Sequence, residues 1–424
     1  MVAKKVDLYH NLISFSSLLL ILLPAALVSG PFLSDLFVVI ISIIFLLINK
    51  VKKQPGIFKN PFFKLFIFFW IYIVIRALFS DHLALSLKPS LTYIRFGIFV
   101  IAILFILENQ KNIIKFFYLF LFITLILLVF DGYFQFFFGK NIFGYSHPRP
   151  DRLGGLFFEE LILGSFISKM LPIFTALIFL NKKILNIKFV YFFLFLSYLL
   201  IFLSGERSAF ILITFYFILI LPFIFSPKKI ILIILAIIIT LSLVVISNKN
   251  LKSRYIDQML MHTVYQSKET KVFMPEHLGF FYSSIDTFKR NVIFGTGVKT
   301  FREECKNINK DIEIKLKKKM SRIKFCSTHP HNYYLQLLAE TGLIGFLFLL
   351  LIFIKLFINY IKQFIMLFKN KSYIDKSYVC ILSGIIVSIW PLTTSGNFFN
   401  NWISVNLFLS IGIFLYISSH VSKK

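Results

Sequence analysis

Apolar residues in this chain come in long unbroken blocks separated by polar connections. Windows of roughly 17 to 22 apolar residues, the length that crosses a bilayer as a helix, centre near Leu20, Ile41, Ile71, Val100, Ile123, Leu171, Phe195, Phe215, Ile237, Phe348, Ile386 and Phe408. Inside lipid a helix satisfies its own backbone hydrogen bonds, and a closed barrel would need strands of alternating polarity. These blocks do not alternate. The pattern predicts an all-α polytopic membrane protein of about twelve transmembrane helices.

The connections add an orientation. Lys4 and Lys5 precede the first block, and Lys50, Lys52, Lys53, Lys59 and Lys64 lie between the second and third. Lys111 and Lys115, then Lys182, Lys183 and Lys188, then Lys228 and Lys229 mark the fourth, sixth and eighth connections. Lys362, Lys369, Lys371 and Lys376 follow the tenth block, and Lys423 and Lys424 end the chain. Every even-numbered connection is basic, which by the positive-inside rule puts both termini in the cytoplasm. The opposite face holds the short turns SGPF, SDHLALSLKPS, SGERS and TTSGNFFNNW, a loop over 131–159, and a long loop over 247–328. The long loop is itself basic, with Lys315, Lys317, Lys318 and Lys319, but the rule weakens beyond about 60 residues. Its apolar positions Ile285, Phe288, Ile293 and Phe294 fall at helical spacing and predict a small, mainly helical cap.

The expected division is therefore 1–246 for nine spans including loop 131–159, 247–328 for the cap, and 329–424 for the last three spans. No small-residue cleavage site follows the first block, so it reads as a retained helix. No internal repeat of the kind seen in inverted-repeat transporters stands out.

Composition narrows the class further. At 58% hydrophobic residues and a mean hydropathy of +0.82, the chain is too apolar for a soluble globule. Its net charge of +27 sits mostly in lysines between apolar blocks, a topology signal rather than a nucleic-acid footprint. Three cysteines are too few for a disulfide scaffold. Cys305 and Cys326 share the long outer loop and are expected to pair, closing a loop worth roughly 3 kcal/mol in the chain-entropy view. Cys380 lies in an apolar block and reads as a small buried hydrophobe.

Candidate chemistry gathers on the outer face. The run STHPHNYYLQLLAETGLIGFLFLLLIF, 327–353, passes from two histidines and an asparagine straight into an apolar helix. Imidazole exchanges protons near neutral pH, so His329 and His331 are candidate acid–base groups. The alternative is a solvated loop in which Asn332 or Thr328 caps the helix. Charges within or beside membrane spans default to functional hypotheses. Here they are Arg76, Arg95, Asp131, Arg149, Arg152, Glu206 and Arg207, with the polar Gln135 near Asp131 and with Arg favoured over the Lys of the basic connections. Guanidinium is a planar fork suited to phosphate oxygens, and Arg207, opening a span after a short turn, is the leading anion ligand. Arg149 and Arg152 flank a proline-stiffened turn. Arg95 has a second reading as the structural partner of Asp131 or Glu160. The alternative for the whole set is an interfacial belt of snorkelling side chains. Gly295–Gly297 is weak as a phosphate loop, and the histidine spacing favours no metal.

At this point five segments, spread from Asp131 to Leu350, resemble one family. HPHNYYLQLLAETGLIGFLFLL is similar to the H-x-H-N-x-x-L-x-x-L-x-E-x-G-L-x-G run of the O-antigen ligase and polymerase superfamily. GTGVKTFREEC, with Arg302, resembles its G-x-G-x-x-x-F-R segment, and SGERSAF its arginine opening a span. DGYFQFFFGKNIFGY and RPDRLGGLFFEE resemble its middle outer loop.

The resemblance implies a membrane-embedded, metal-independent, inverting glycosyltransferase of the bacterial inner membrane, without cofactor. Its donor would be a glycan on undecaprenyl pyrophosphate, and its acceptor the lipid A-core, another lipid-linked repeat, or a protein hydroxyl. Carried over residue by residue, His331 (or His329) is the base, and Arg207, with Arg149 or Arg152, holds the pyrophosphate. The residues themselves add Arg95 as a further candidate anion ligand, and Asn332, Glu340, Asp131, Gln135, His277 and Arg302 as candidate supporting groups. An anion or lipid transporter is the rival class. It predicts functional charges near the midplane or on both faces, whereas these cluster on one.

Overall fold

The computed structural model describes residues 2–52, 58–110, 112–147, 149–181, 185–257, 275–319, 323–369 and 374–421. Part of the expected cap, 258–274, and the topology lysines Lys53, Lys111, Lys182, Lys183, Lys371, Lys423 and Lys424 lie outside the described residues. The described chain is almost wholly helical, with no strand and only isolated bridges in the middle loop.

Ten described helices are long and apolar enough to cross a membrane. They are Tyr9–Val28, Pro31–Val51, Pro61–Leu78, Leu83–Asn109, Ile113–Phe138, Leu163–Leu180, Arg207–Ile224, Pro227–Ser247, Tyr333–Phe368 and Asn401–His420. Two further apolar helices, Ile187–Leu203 and Lys376–Ser388, coincide with the expected seventh and eleventh spans but have only 17 and 13 residues. At 1.5 Å per residue, 13 residues reach about 20 Å, short of the roughly 30 Å hydrocarbon layer. The reason for the shorter helix is local. The apolar block continues through Ile389, Trp390 and Leu392, but Pro391 has no amide to donate and restricts Trp390 before it.

Other boundaries follow the same local chemistry. Asn60, Asn186, Asn332 and Asp375 cap their helices through side-chain oxygens. Leu83–Asn109 is broken once, at Tyr93, into Leu83–Thr92 and Ile94–Asn109. The helix Ile113–Phe138 runs further than the sequence reading placed it, ending at Gly139 in the left-handed region with φ 75°. Asp131 and Gln135 therefore sit inside this helix rather than at the start of a loop.

The core lies among Leu163–Leu180, Lys376–Ser388, Ile94–Asn109 and Asn401–Val421. Gly384 lets the first two helices touch: a Cβ there would stand 2.3 Å from Pro172 Cβ. Aromatic rings fill the second pair, with Phe96 stacked on Phe408 at 5.3 Å between centroids and Phe66 edge-on to Phe408 at 5.6 Å. Pro227–Ser247 contributes no buried residue.

Above this bundle the helix Pro275–Arg290 packs against Tyr333–Phe368. A small apolar cluster of Leu316, Ile323 and Phe325, joined by Leu278, Ile308 and Ile312, holds the helix Lys310–Lys319 to it. Cys305 and Cys326 form a disulfide with Cα atoms 5.1 Å apart, tying the cap to the strand of chain leading into His329.

Candidate active site

The long helix Tyr333–Phe368 begins at Asn332, whose Oδ1 accepts from the amides of Tyr334 and Leu335, both at 3.0 Å. Its Nδ2 donates to the carbonyls of Pro391 and Thr393 at 2.7 and 3.1 Å. One residue earlier, His331 is held at φ 59°, a conformation that non-glycine residues rarely adopt. This bend turns its ring towards His329, at 4.1 Å between centroids, and towards His277 of the cap helix, at 5.1 Å. Phe280 stacks on the same ring at 5.4 Å. Thr328 Oγ1 lies 3.0 Å from His329 Nδ1, and Ser327 Oγ lies 3.4 Å from His331 Nε2.

Burial keeps these imidazoles neutral. It pushes His331 down from 6.5 to about 3, with His329 and His277 adding to the effect. His329 is pushed down to about 4, chiefly by burial and against the pull of the Ser395 backbone. Neutral imidazoles accept protons, as a base for a hydroxyl must.

A second group is built around the turn before Arg207–Ile224. Glu206 is buried, and its carboxylate accepts from the amides of Gly164 at 2.7 Å and Ser165 at 3.2 Å and from the Ser165 hydroxyl. It thus caps the N-terminus of Leu163–Leu180. Burial raises its pKa, while Ser165 and Arg152 pull it back. Arg207 stands next, half-buried, with no hydrogen bond or ion pair among the described residues. Arg254 donates to Gly205 O at 3.1 Å and pairs with Asp151 at 3.3 Å. Burial and then the neighbouring Arg207 lower its pKa to about 10. Arg152 donates to Leu161 O at 2.8 Å and leaves its Nε without a partner. Crowded cations that depress one another make an environment suited to a bound anion.

Both groups open into one cavity of about 1960 Å³. Arg152, Arg207, Arg254 and Arg302 line it together with His277, His329 and His331. The lining also takes in apolar side chains of two membrane helices, Phe120, Ile123 and Leu127 of Ile113–Phe138 and Ile211 and Leu212 of Arg207–Ile224. Three non-glycine residues have positive φ among the described residues, Phe158, Lys299 and His331, and all three line this cavity. Backbone strain of this kind collects at functional sites.

Other residues singled out from the sequence sit elsewhere. Arg149 is exposed and pairs with Asp151 at 3.3 Å, outside the cavity lining. Arg95 also lies off the lining. Its guanidinium grips Asp35 at 2.8 and 3.3 Å and lies over Phe96, so its partner is neither Asp131 nor Glu160. Asp131 and Gln135 shape the middle loop instead: Asp131 accepts from Ile142 N at 2.9 Å, and Gln135 from Gly154 N and Gly155 N at 3.1 and 2.8 Å. Glu340 is fully buried and accepts from Gln336 Nε2 at 3.0 Å and Phe301 N at 3.4 Å, an orienting role. Arg76 donates to Gly295 O at 2.8 Å.

Three cavity cations were not singled out from the sequence: Lys169, Lys299 and Arg254. Lys169 stands within the apolar helix Leu163–Leu180, over the Trp402 ring at 5.8 Å, and a charge inside a span was itself a signal. Lys299 and Arg254 carried none, being two of many basic residues in a basic loop.

Residues 192–350 match the family model described as O-antigen ligase. That stretch contains the three histidines, Arg207, Arg254, Lys299 and Arg302, whereas Arg152 and Lys169 precede it. No curated protein matches the chain.

Proposed function

Because this multi-pass membrane chain belongs to the O-antigen ligase superfamily, we infer that it transfers a glycan from undecaprenyl pyrophosphate to the lipid A-core. The reaction is placed at the periplasmic face of the bacterial inner membrane, with both termini cytoplasmic and 247–328 as the periplasmic cap. One observation carries the reading: a single cavity is lined by neutral histidines, several arginines and apolar side chains of membrane helices. A donor with a sugar, a pyrophosphate and a polyprenyl tail needs all three surfaces.

In this mechanism Arg207, with Arg152 and Arg254, binds the pyrophosphate, and the tail lies along the apolar side chains of the cavity lining. The acceptor hydroxyl attacks the anomeric carbon from the side opposite the pyrophosphate. Its oxygen forms the new glycosidic bond, the bond from carbon to phosphate oxygen breaks, and the electron pair leaves with undecaprenyl pyrophosphate. The hydroxyl proton passes to His331, with His329 beside it as the alternative acceptor. Guanidinium groups stabilise the charge growing on the leaving oxygen in a water-poor site, where such donors are worth most. Inversion at the anomeric carbon follows from a single displacement.

The histidines start neutral and become cationic as the proton arrives. Arg302 opposes that charge at His329, and the bound pyrophosphate favours it on both rings. Donor binding therefore makes His331 a better base, which couples proton transfer to occupancy of the anion site.

Binding of undecaprenyl pyrophosphate to the purified protein in nanodiscs tests the assignment. Arg207→Ala combined with Arg254→Ala should weaken it at least about tenfold, the scale of losing charge-assisted hydrogen bonds. Unchanged affinity in the double variant would remove the pyrophosphate from this wall. A repeat-unit polymerase and a protein glycosyltransferase share the donor and differ in the acceptor.

A further inference from the structure

The segment 393–400 follows the short helix Lys376–Ser388 and has no part in the chemistry so far. It reads Thr-Thr-Ser-Gly-Asn-Phe-Phe-Asn, without a charged side chain. Thr393, Thr394, Ser395, Gly396, Asn397 and Asn400 all line the cavity. Its anchorage is specific at both ends. Thr394 Oγ1 lies 2.7 Å from Ser208 Oγ, and Ser208 directly follows Arg207. Ser395 N donates to His331 O at 2.8 Å, and Asn332, next to His331, holds Pro391 and Thr393. Two neighbouring residues of one loop therefore touch the arginine side and the histidine side of the cavity.

In a displacement at an anomeric carbon, the transferred ring lies between the leaving oxygen and the attacking oxygen. We propose that segment 393–400 is the recognition site for the sugar joined directly to the pyrophosphate. The inference rests on the donor reading above and adds the residues that select the sugar.

The chemistry of the wall fits that ligand. Sugar hydroxyls donate and accept, and they pair best with other hydroxyls and amides. Ser395 Oγ is buried with no hydrogen-bond partner. Buried polar atoms are nearly always paired, so an open one beside the reacting centre is available to a ligand hydroxyl. Trp402 and Tyr333 line the same cavity and supply aromatic surface for the apolar side of a pyranose.

The test is equilibrium binding to the full-length protein in nanodiscs. The probes are bare undecaprenyl pyrophosphate and the same lipid bearing N-acetylglucosamine or galactose. Wild type should bind at least one sugar-bearing lipid about tenfold tighter than the bare one, the scale of one or two net hydrogen bonds. Ser395→Ala and Thr394→Val should each reduce that advantage severalfold and leave affinity for the bare lipid unchanged. Arg207→Ala should weaken all three lipids alike. The proposal is overturned if wild type shows no sugar advantage, or if both variants keep it. It is also overturned if the variants weaken the bare lipid as much as the sugar-bearing ones, which is the mark of a structural role. Loss of a different kind, with the bare lipid unbound by wild type or indifferent to Arg207→Ala, would strike the donor reading itself.

Discussion

Gly342 and Gly295 meet backbone to backbone where the long helix Tyr333–Phe368 bends. Gly342 leaves helical geometry at φ 61° and ψ −160°, and a Cβ on it would stand 2.3 Å from Ile293 O and 2.6 Å from Gly295 N. A Cβ on Gly295, itself at φ 69°, would stand 2.4 Å from Gly342 N. The bend frees helix carbonyls, and the 292–297 segment takes them up. Thr296 N donates to Ala339 O at 3.1 Å, Gly297 N to Glu340 O at 2.8 Å, and Leu343 N returns to Val292 O at 2.9 Å. Tyr72, Arg76 and Ser80 of the third span side clasp the same segment through its carbonyls and that of Thr341. The cap is thereby fixed to the helix that begins at the histidines.

Gly342→Ala and Gly295→Ala should each destabilise the protein by at least about 2 kcal/mol, since both a positive φ and a backbone clash oppose the new methyl group. Thermal unfolding in detergent measures this. Gly139, also at positive φ but with open space around it, is the control, and its alanine variant should cost less. Equal losses at all three positions would mean the clasp is not special.

The neutral histidines give stability a pH dependence of known sign. Unfolded imidazoles protonate below about 6.5, whereas His329 and His331 resist until about 4 and about 3. Between these values the unfolded chain binds more protons, so this contribution is complete above about pH 6.5 and is lost as pH falls towards 4 and 3. Melting curves from pH 7.5 to 4.5 should fall less steeply for His329→Gln with His331→Gln than for wild type. Parallel curves would place the two imidazoles in solvent.

The Cys305–Cys326 bridge closes a separation of 21 residues just ahead of His329. Cys305→Ser with Cys326→Ser should cost roughly 3 kcal/mol in the chain-entropy model. In native protein neither thiol should react with a maleimide until a reductant is added. Free alkylation of both without reductant would refute the bridge.

Much of the frame was legible because burial in lipid leaves a strong mark on sequence. Blocks of apolar residues located the ten described helices long enough to cross a membrane and the two shorter apolar ones, but hydropathy reads composition rather than backbone. It carried the eleventh block past Ser388 through Trp390, although Pro391 ends the helix there and leaves a loop lining the cavity. His329, His331 and Arg207 were visible because imidazole and guanidinium at the mouth of a span are unusual. Pairings across sequence were not visible. Asp35, the partner of Arg95, lies 60 residues away, and no spacing rule links GTG at 295–297 to Gly342. Lys169 was legible and passed over, a single cation inside an otherwise ordinary apolar block.

The central claim is that this cavity moves a glycan from a lipid pyrophosphate with His331 as base and Arg207 on the leaving group. The most direct measurement is transfer by the purified, reconstituted protein from an undecaprenyl-pyrophosphate oligosaccharide to lipid A-core, compared with His331→Ala and Arg207→Ala. Glycan should appear on the core as one block with wild type, and each variant should lose at least about a hundredfold in rate while staying folded. Lipid-linked chains lengthening repeat by repeat would reassign the acceptor and keep the site. Wild-type rates in both variants would contradict the account.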